Sequence, residues 1–227
     1  LAKRIKDCYE DIPIVVLTHF NREVSLRLEK EDLSAIDYVF CWLGNTDLFL
    51  AIIKLIEDKM NADHDIDQVG VQTIMLVEDS IRYTSSYLPE LYRIVLQQSR
   101  EFMKEALNEH QKMLRMRGRP KILLAKTFDE ALALYQKYHF NMLGVISDVS
   151  FKKNNKRDHK EKLGLQLVEE IRKADPHMPV LLQSSDKSNK QLAEALGAGF
   201  VHKYSKTLSI NIRNYIIHHF GFGEFLF

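Results

Sequence analysis

The chain is expected to form an α/β fold: a doubly wound, five-stranded parallel sheet with a long first helix, preceded by the second half of a degenerate copy of the same unit. Three observations predict it. Short runs rich in Ile, Leu and Val recur from Val71 onward, amphipathic helical stretches separate them, and the segment before Val71 repeats the pattern of the last two runs. Strands alternating with helices make βαβ units with right-handed crossovers. A sheet covered on both faces reads as continuous apolar runs.

In order, the strands are VQTIMLV (71–77), KILLAK (121–126), MLGVIS (142–147), MPVLLQS (178–184) and GFVHK (199–203). Between the second and third, FDEALALYQKYH (128–139) sets Ala131, Leu134, Tyr135 and Tyr138 on one helical face. LGLQLVEEIRKA (163–174) does the same with Leu163, Leu167, Val168 and Ile171. NKQLAEALGAG (189–199) is a helix stopped by glycines, and the last helix, 209–219, carries Ile210, Ile212, Ile216 and Ile217. Residues 80–117 read as one elongated helix, because no turn signal follows Pro89 until Gly118 and Pro120. If continuous it spans about 55 Å. It therefore bends near Pro89 or projects beyond the sheet, either packed on its own domain or docking a second copy as a homodimer or a neighbouring domain.

A half-repeat precedes this unit. DIPIVVLTHF (11–20) parallels PHMPVLLQSS (176–185), and AIDYVFCWLG (35–44) parallels AGFVHKYS (198–205). An Ile-rich helix follows each, DLFLAIIKLIEDKM (47–60) and SINIRNYIIHHF (209–220). The expected organisation is a half-domain over 1–60, an acidic linker over 61–69, the complete unit over 70–220, and an apolar tail over 221–227. The chain opens on Leu1 and closes on GFGEFLF, so further regions are expected beyond both ends, the tail leading to a downstream domain.

With 227 residues, 45% of them hydrophobic, there is ample material for an ordinary core. Lys and Arg total 32 against 31 Asp and Glu, so no basic excess argues for nucleic acid. No apolar stretch approaches the roughly 20 residues that span a bilayer. Cys8 and Cys41 fall in no metal or redox spacing, and a cytoplasmic location is expected.

In open parallel sheets, ligands bind beyond the C-terminal strand ends. Glu78 and Asp79 close the first strand, Asp148 the third, Ser184 the fourth and Lys203 the fifth. Taken as structure alone, the acids are helix N-caps, Asp79 above all. Taken together, three carboxylates in one pocket do not all ionise without a cation. Mg²⁺ suits one or two carboxylates plus phosphate oxygens and water. A carboxylate also attacks phosphorus to give an acyl phosphate, while a lysine ammonium meets the developing oxyanions and a hydroxyl can hydrogen-bond the phosphoryl group.

This order of residues resembles the receiver domain of two-component response regulators, a chemotaxis-receiver-like, flavodoxin-like unit, over about residues 70–220. The resemblance implies Asp148 as phosphoacceptor and Mg²⁺ ligand, with Glu78 and Asp79 as the metal-binding acidic pair. It implies the backbone carbonyl of Ser150 as a further metal ligand, Ser184 and Lys203 at the family's hydroxyl and lysine positions, and Phe200 as an aromatic that swings inward on phosphorylation. A histidine kinase or small phosphodonor is the implied partner. IDYVFCWLGNTDL, GNTDLFLAIIKLIEDKMN and MLRMRGRPKILLA are similar to the N-terminal tandem receiver-like region of Bacteroidetes proteins related to phosphoenolpyruvate synthase or pyruvate phosphate dikinase. The output implied there is a downstream, pyruvate-phosphorylating region.

Three departures stand beside the resemblance. The basic insertion VSFKKNNKRDHKEKLG follows Asp148, Tyr204 replaces the family's cis-proline after the lysine, and Trp42 stands where the first copy needs a lysine although Thr18 keeps its hydroxyl. They favour a second reading, a pseudo-receiver that is never phosphorylated and works as an interaction or dimerisation scaffold. Neither reading makes the segment itself an enzyme. A magnesium phosphatase lacks a second acid after Asp148, where Ser150 stands.

Overall fold

A computed structural model describes residues 1–19, 34–104, 118–154 and 160–221. Helix α1 (Ala2–Cys8) leads to strands β1 (Val15–His19) and β2 (Tyr38–Trp42), followed by α2 (Asp47–Val69). The larger unit runs β3 (Thr73–Val77), α3 (Ile81–Lys104), β4 (Lys121–Ala125), α4 (Phe128–Tyr138) and β5 (Met142–Asp148). Short strands β6 (Phe151–Lys152) and β7 (Lys160–Glu161) precede α5 (Leu163–Ala174), β8 (Val180–Ser184), α6 (Asn189–Ala195), β9 (Gly199–His202) and α7 (Leu208–His219).

The five main strands pair in the order β4–β3–β5–β8–β9, every neighbour parallel. That is the doubly wound, flavodoxin-like order, whose switch point lies between β3 and β5. Every residue of β3, β5 and β8 is buried, as continuous apolar runs require of a sheet covered on both faces. One core lies under α4, α5 and α6 and is filled by Met75, Val145, Leu167, Ile171 and Leu182. On the other face, Ile74, Leu88, Leu91, Ile146 and Ile216 pack with Phe40, Leu48 and Leu55 of the half-repeat. At about 1.5–3 kcal/mol for each large apolar side chain, this shared core joins the two segments as firmly as any domain interior.

Local chemistry explains the element ends. Thr127 accepts a hydrogen bond from Glu130 N–H at 3.2 Å while Glu130 accepts one from Lys126 N–H at 2.8 Å, a reciprocal cap on α4. Gly70 ends α2 in the left-handed region at φ 72°. A β-carbon on Gly164 would stand 2.2 Å from the carbonyl oxygen of Asp148, so only glycine lets α5 start against the end of β5.

The N-terminal segment contributes a two-stranded sheet of its own. β1 and β2 are parallel, with Thr18 opposite Cys41, just as Ser184 of β8 lies opposite His202 of β9. The residues after those partners are Trp42 and Lys203, so the register itself puts an indole at the lysine's position. Trp42 packs on Phe49 with ring centroids 5.4 Å apart.

Several expectations are corrected. Residues 61–69 are not an irregular linker but the last turns of α2. Ala62 and Ile66 are buried there, Asp63 accepts a hydrogen bond from Tyr138 Oη, and Asp65 pairs with Lys121 at 2.7 Å. The acids that suggested a solvated linker are partners for α4 and β4. In the insertion after Asp148, Phe151 is fully buried and β6 pairs antiparallel with β7. Ile210 is 58% exposed rather than part of the core face of α7. The long helix is described as far as Lys104 and carries Pro89 inside it, whereas its expected continuation over 105–117 and the tail over 222–227 lie outside the described residues. No helix among the described residues is long and apolar enough to cross a membrane.

Candidate phosphoacceptor and metal site

Glu78, Asp79 and Asp148 meet at the C-terminal ends of β3 and β5, where one carboxylate oxygen from each lies within 4.8 Å of the others. The paired strands bring them there, since Val77 lies opposite Ser147 and the next residue on each chain is an acid. Glu78 has no exposed surface and Asp148 is 7% exposed, while Asp79 is half-buried. Lys203, also buried, lies just beyond β9 and spans the pocket. Its Nζ donates to Glu78 Oε2 and to Asp148 Oδ2, each at 2.7 Å. Tyr204 in place of a proline does not prevent this reach, and no peptide bond among the described residues is cis.

Burial pushes the Glu78 carboxyl up, to about 7, with Lys203 pulling it down and the charge of Asp148 pushing it up again. The main physical cause is burial in a space that water reaches poorly, where a charged carboxylate is disfavoured even beside an ammonium. Hard oxygen donors at this spacing fit Mg²⁺, and the buried carbonyl oxygen of Gln183 beside Glu78, unpartnered among the described residues, adds to the shortage of positive partners.

Ser184 is buried on β8, next to Gln183, which pairs with Asp148 across the sheet. Its Oγ accepts hydrogen bonds from Asp186 N–H at 3.1 Å and Asn189 Nδ2 at 2.9 Å. With both lone pairs engaged, the hydroxyl proton remains free to donate. Ser150 N–H points at Asp148 Oδ1 from 3.4 Å, a weak contact that holds the turn after the strand against the acid. Phe200 is half-buried on β9 and packs against the core beneath α4, α5 and α6. Ser80, rather than Asp79, immediately precedes α3 and faces its first turn, its oxygen toward Tyr83 N–H at 3.5 Å, while its own N–H donates to Glu78 at 3.1 Å.

Sequence reasoning missed Gln183, Asn189 and Tyr83. Gln183 Nε2 approaches Glu78 at 3.4 Å, and the signal for it was a lone amide inside an otherwise apolar strand, VLLQS. Asn189 orients Ser184, and nothing in a helix-opening NKQL distinguishes it from an ordinary polar residue. The ring of Tyr83 lies over Lys203 Nζ, 4.1 Å from its centroid.

No family model matches the chain, and no curated protein does. Among solved structures it is similar to a response regulator receiver domain protein from Clostridium thermocellum, with 22% identity and a TM-score of 0.40 over 65% of this chain and 95% of that one. It is also similar to the non-phosphorylated HemR receiver domain from Leptospira biflexa, with 23% identity and a TM-score of 0.37 over 63% and 90% of the two chains. A chemotaxis protein of Vibrio cholerae is a third, with 20% identity and a TM-score of 0.37 over 63% and 94%.

Proposed function

We propose that residues 70–220 are a two-component receiver domain in which Asp148 accepts a phosphoryl group and thereby regulates an attached output region. The observation that carries this reading is the buried lysine spanning Glu78 and Asp148 at 2.7 Å beside a third carboxylate. A carboxylate oxygen of Asp148 attacks the phosphorus of a phosphohistidine on a histidine kinase, or of a small acyl phosphate. The O–P bond forms as the donor's bond to phosphorus breaks, and that electron pair leaves with the donor. Glu78, Asp79, Asp148 and the backbone carbonyl of Ser150 would hold Mg²⁺, which when bound offsets the charge of the transferring group. Lys203 then follows the phosphoryl oxygens, and Ser184 donates its free proton to one of them. Phe200 is the aromatic whose packing would change with phosphorylation and alter the face formed by α6, β9 and α7. On the strength of the sequence likeness alone, the regulated partner is a phosphoenolpyruvate synthase-like enzyme in the cytoplasm.

A second reading has its own observation. Lys203 already serves as an internal counter-ion, so the pocket is partly neutralised with no metal, as a scaffold that retains the receiver fold without phosphorylation would need. α3 would then be its working part as a dimerisation element. Intact mass separates the two. Incubation with Mg²⁺ and a small acyl phosphate should add one phosphoryl group to the protein and none to Asp148→Asn. The absence of any adduct, where an established receiver is modified, overturns the phosphoacceptor reading.

A further inference from the structure

The third face of the Lys203 ammonium carries information that the acid pocket does not use. A protonated lysine has three N–H donors. Two are taken by Glu78 Oε2 and Asp148 Oδ2, and among the described residues no other oxygen accepts from Nζ. The third side is closed by the ring of Tyr83, whose centroid lies 4.1 Å from Nζ. This ring is itself held in place. It stacks on Tyr87 with centroids 5.7 Å apart.

We propose that Tyr83 is a positioning residue for Lys203, its π face holding the ammonium between Glu78 and Asp148. A leucine would fill the same half-buried place on the first turn of α3, but it would offer the cation nothing. A third carboxylate would bind the lysine more strongly but add charge to a pocket already overloaded with it. The aromatic face attracts the cation without charge, and more weakly than a carboxylate does. Lys203 is thus kept in the pocket and still free to move a short distance when negative charge appears on Asp148. The role in phosphoryl transfer rests on the phosphoacceptor reading, whereas the placement of the lysine does not.

The test compares the full chain with Tyr83→Phe, Tyr83→Leu and Tyr83→pentafluorophenylalanine, the last keeping the shape of the ring while reversing its quadrupole. Two quantities are read: the exchange rate of the Lys203 ammonium protons with water by NMR, and the rate of phosphorylation by a small acyl phosphate with Mg²⁺. Tyr83→Phe should match the unaltered protein in both. Tyr83→Leu and the fluorinated ring should speed exchange, and slow phosphorylation, by roughly three- to thirtyfold. If Tyr83→Leu fails to fold, the fluorinated variant decides. Unchanged exchange and rate in the fluorinated variant, or losses in Tyr83→Phe equal to those in it, overturn the proposal. Should the unaltered protein take up no phosphoryl group, the phosphoacceptor reading fails while the exchange rates still decide the role of Tyr83.

Discussion

Asp58 of α2 has no exposed surface and accepts a hydrogen bond from the hydroxyl of Tyr92 on α3 at 2.7 Å. The same carboxylate accepts the backbone N–H of Ile122 at 2.9 Å and pairs with the guanidinium of Arg119, while Lys121 Nζ stands 3.8 Å away. Helix α2 is therefore bonded to α3 and to β4, the edge strand of the five-stranded sheet, through one buried acid. Removing one member of such a network leaves a buried charge without compensation, at a cost of about 3–5 kcal/mol. Asp58→Ala should lower the unfolding free energy by that amount in urea titration. Asp58→Leu combined with Arg119→Met should recover much of the loss, since neither charge then remains. Equal losses in the single and double variants would show that packing, not charge pairing, joins the segments.

A second ion pair of the same helix gives a pH signature. Lys121, at 2.7 Å, holds the Asp65 carboxyl below its ordinary value of 3.8, with burial opposing and His64 assisting. A carboxyl lowered in the folded state stabilises the fold fully above its unfolded pKa and loses that contribution as pH falls through the folded one. Asp65→Asn should therefore cost about 0.2–1 kcal/mol near neutral pH, the range of a partly exposed pair. The difference from the unaltered protein should persist down to about pH 4 and vanish below it. Urea unfolding across that range reads it directly. A difference that grows with acid would exclude the pair as its source.

The sheet was legible because its physics is local: five apolar runs bounded by turn residues leave a parallel sheet little alternative, and strand ends are where acids are noticed. Glu78, Asp79, Asp148 and Lys203 were visible for that reason. The contacts of Asp58 were not. An Asp on a helix rich in acids reads as solvated surface, and the cations of RMRGRPK read as complements to a helix dipole. Only the fold brings Arg119 and Lys121 back to α2, some 60 residues earlier in the chain. The helical state of residues 61–69 was hidden likewise, because Ala62 and Ile66 bury themselves against a core that the sequence supplies much later. Tyr83 reads as a core aromatic, and its use as a lid on a lysine depends on a contact between α3 and the end of β9 that periodicity does not encode.

Gly164 ties the fold to the site. Its N–H donates to Val149 O at 3.0 Å, and a β-carbon there would meet Asp148 O at 2.2 Å and Val149 Cα at 2.8 Å. Both obstacles are backbone, so the strand end or the helix must shift. Gly164→Ala should cost about 1–3 kcal/mol and displace Asp148 from Lys203. Thermal unfolding and uptake of a phosphoryl group should fall together. A variant of full stability that still becomes phosphorylated would mean that α5 can move without disturbing the acid.

Gln183 should separate stability from metal binding. Among the described residues its buried carbonyl oxygen has no partner, and its amide nitrogen reaches Glu78 only at 3.4 Å. A buried polar atom left unpaired costs about 1–3 kcal/mol, so Gln183→Leu, similar in size and without the amide, should be as stable as the unaltered protein or more so. The same change removes a contact that orients Glu78, one of the three acids proposed to hold Mg²⁺. Groups that orient metal ligands typically contribute about 10–100-fold in affinity, and the long contact here argues for the lower end, about tenfold. Urea unfolding without metal and calorimetric titration with Mg²⁺ measure the two effects separately. Opposite movements, a higher unfolding free energy with weaker Mg²⁺ binding, would show that the amide is retained for the site at the expense of the core. A loss of stability with unchanged Mg²⁺ affinity would make Gln183 a packing residue and leave Glu78 oriented by Ser80 N–H and Lys203 alone.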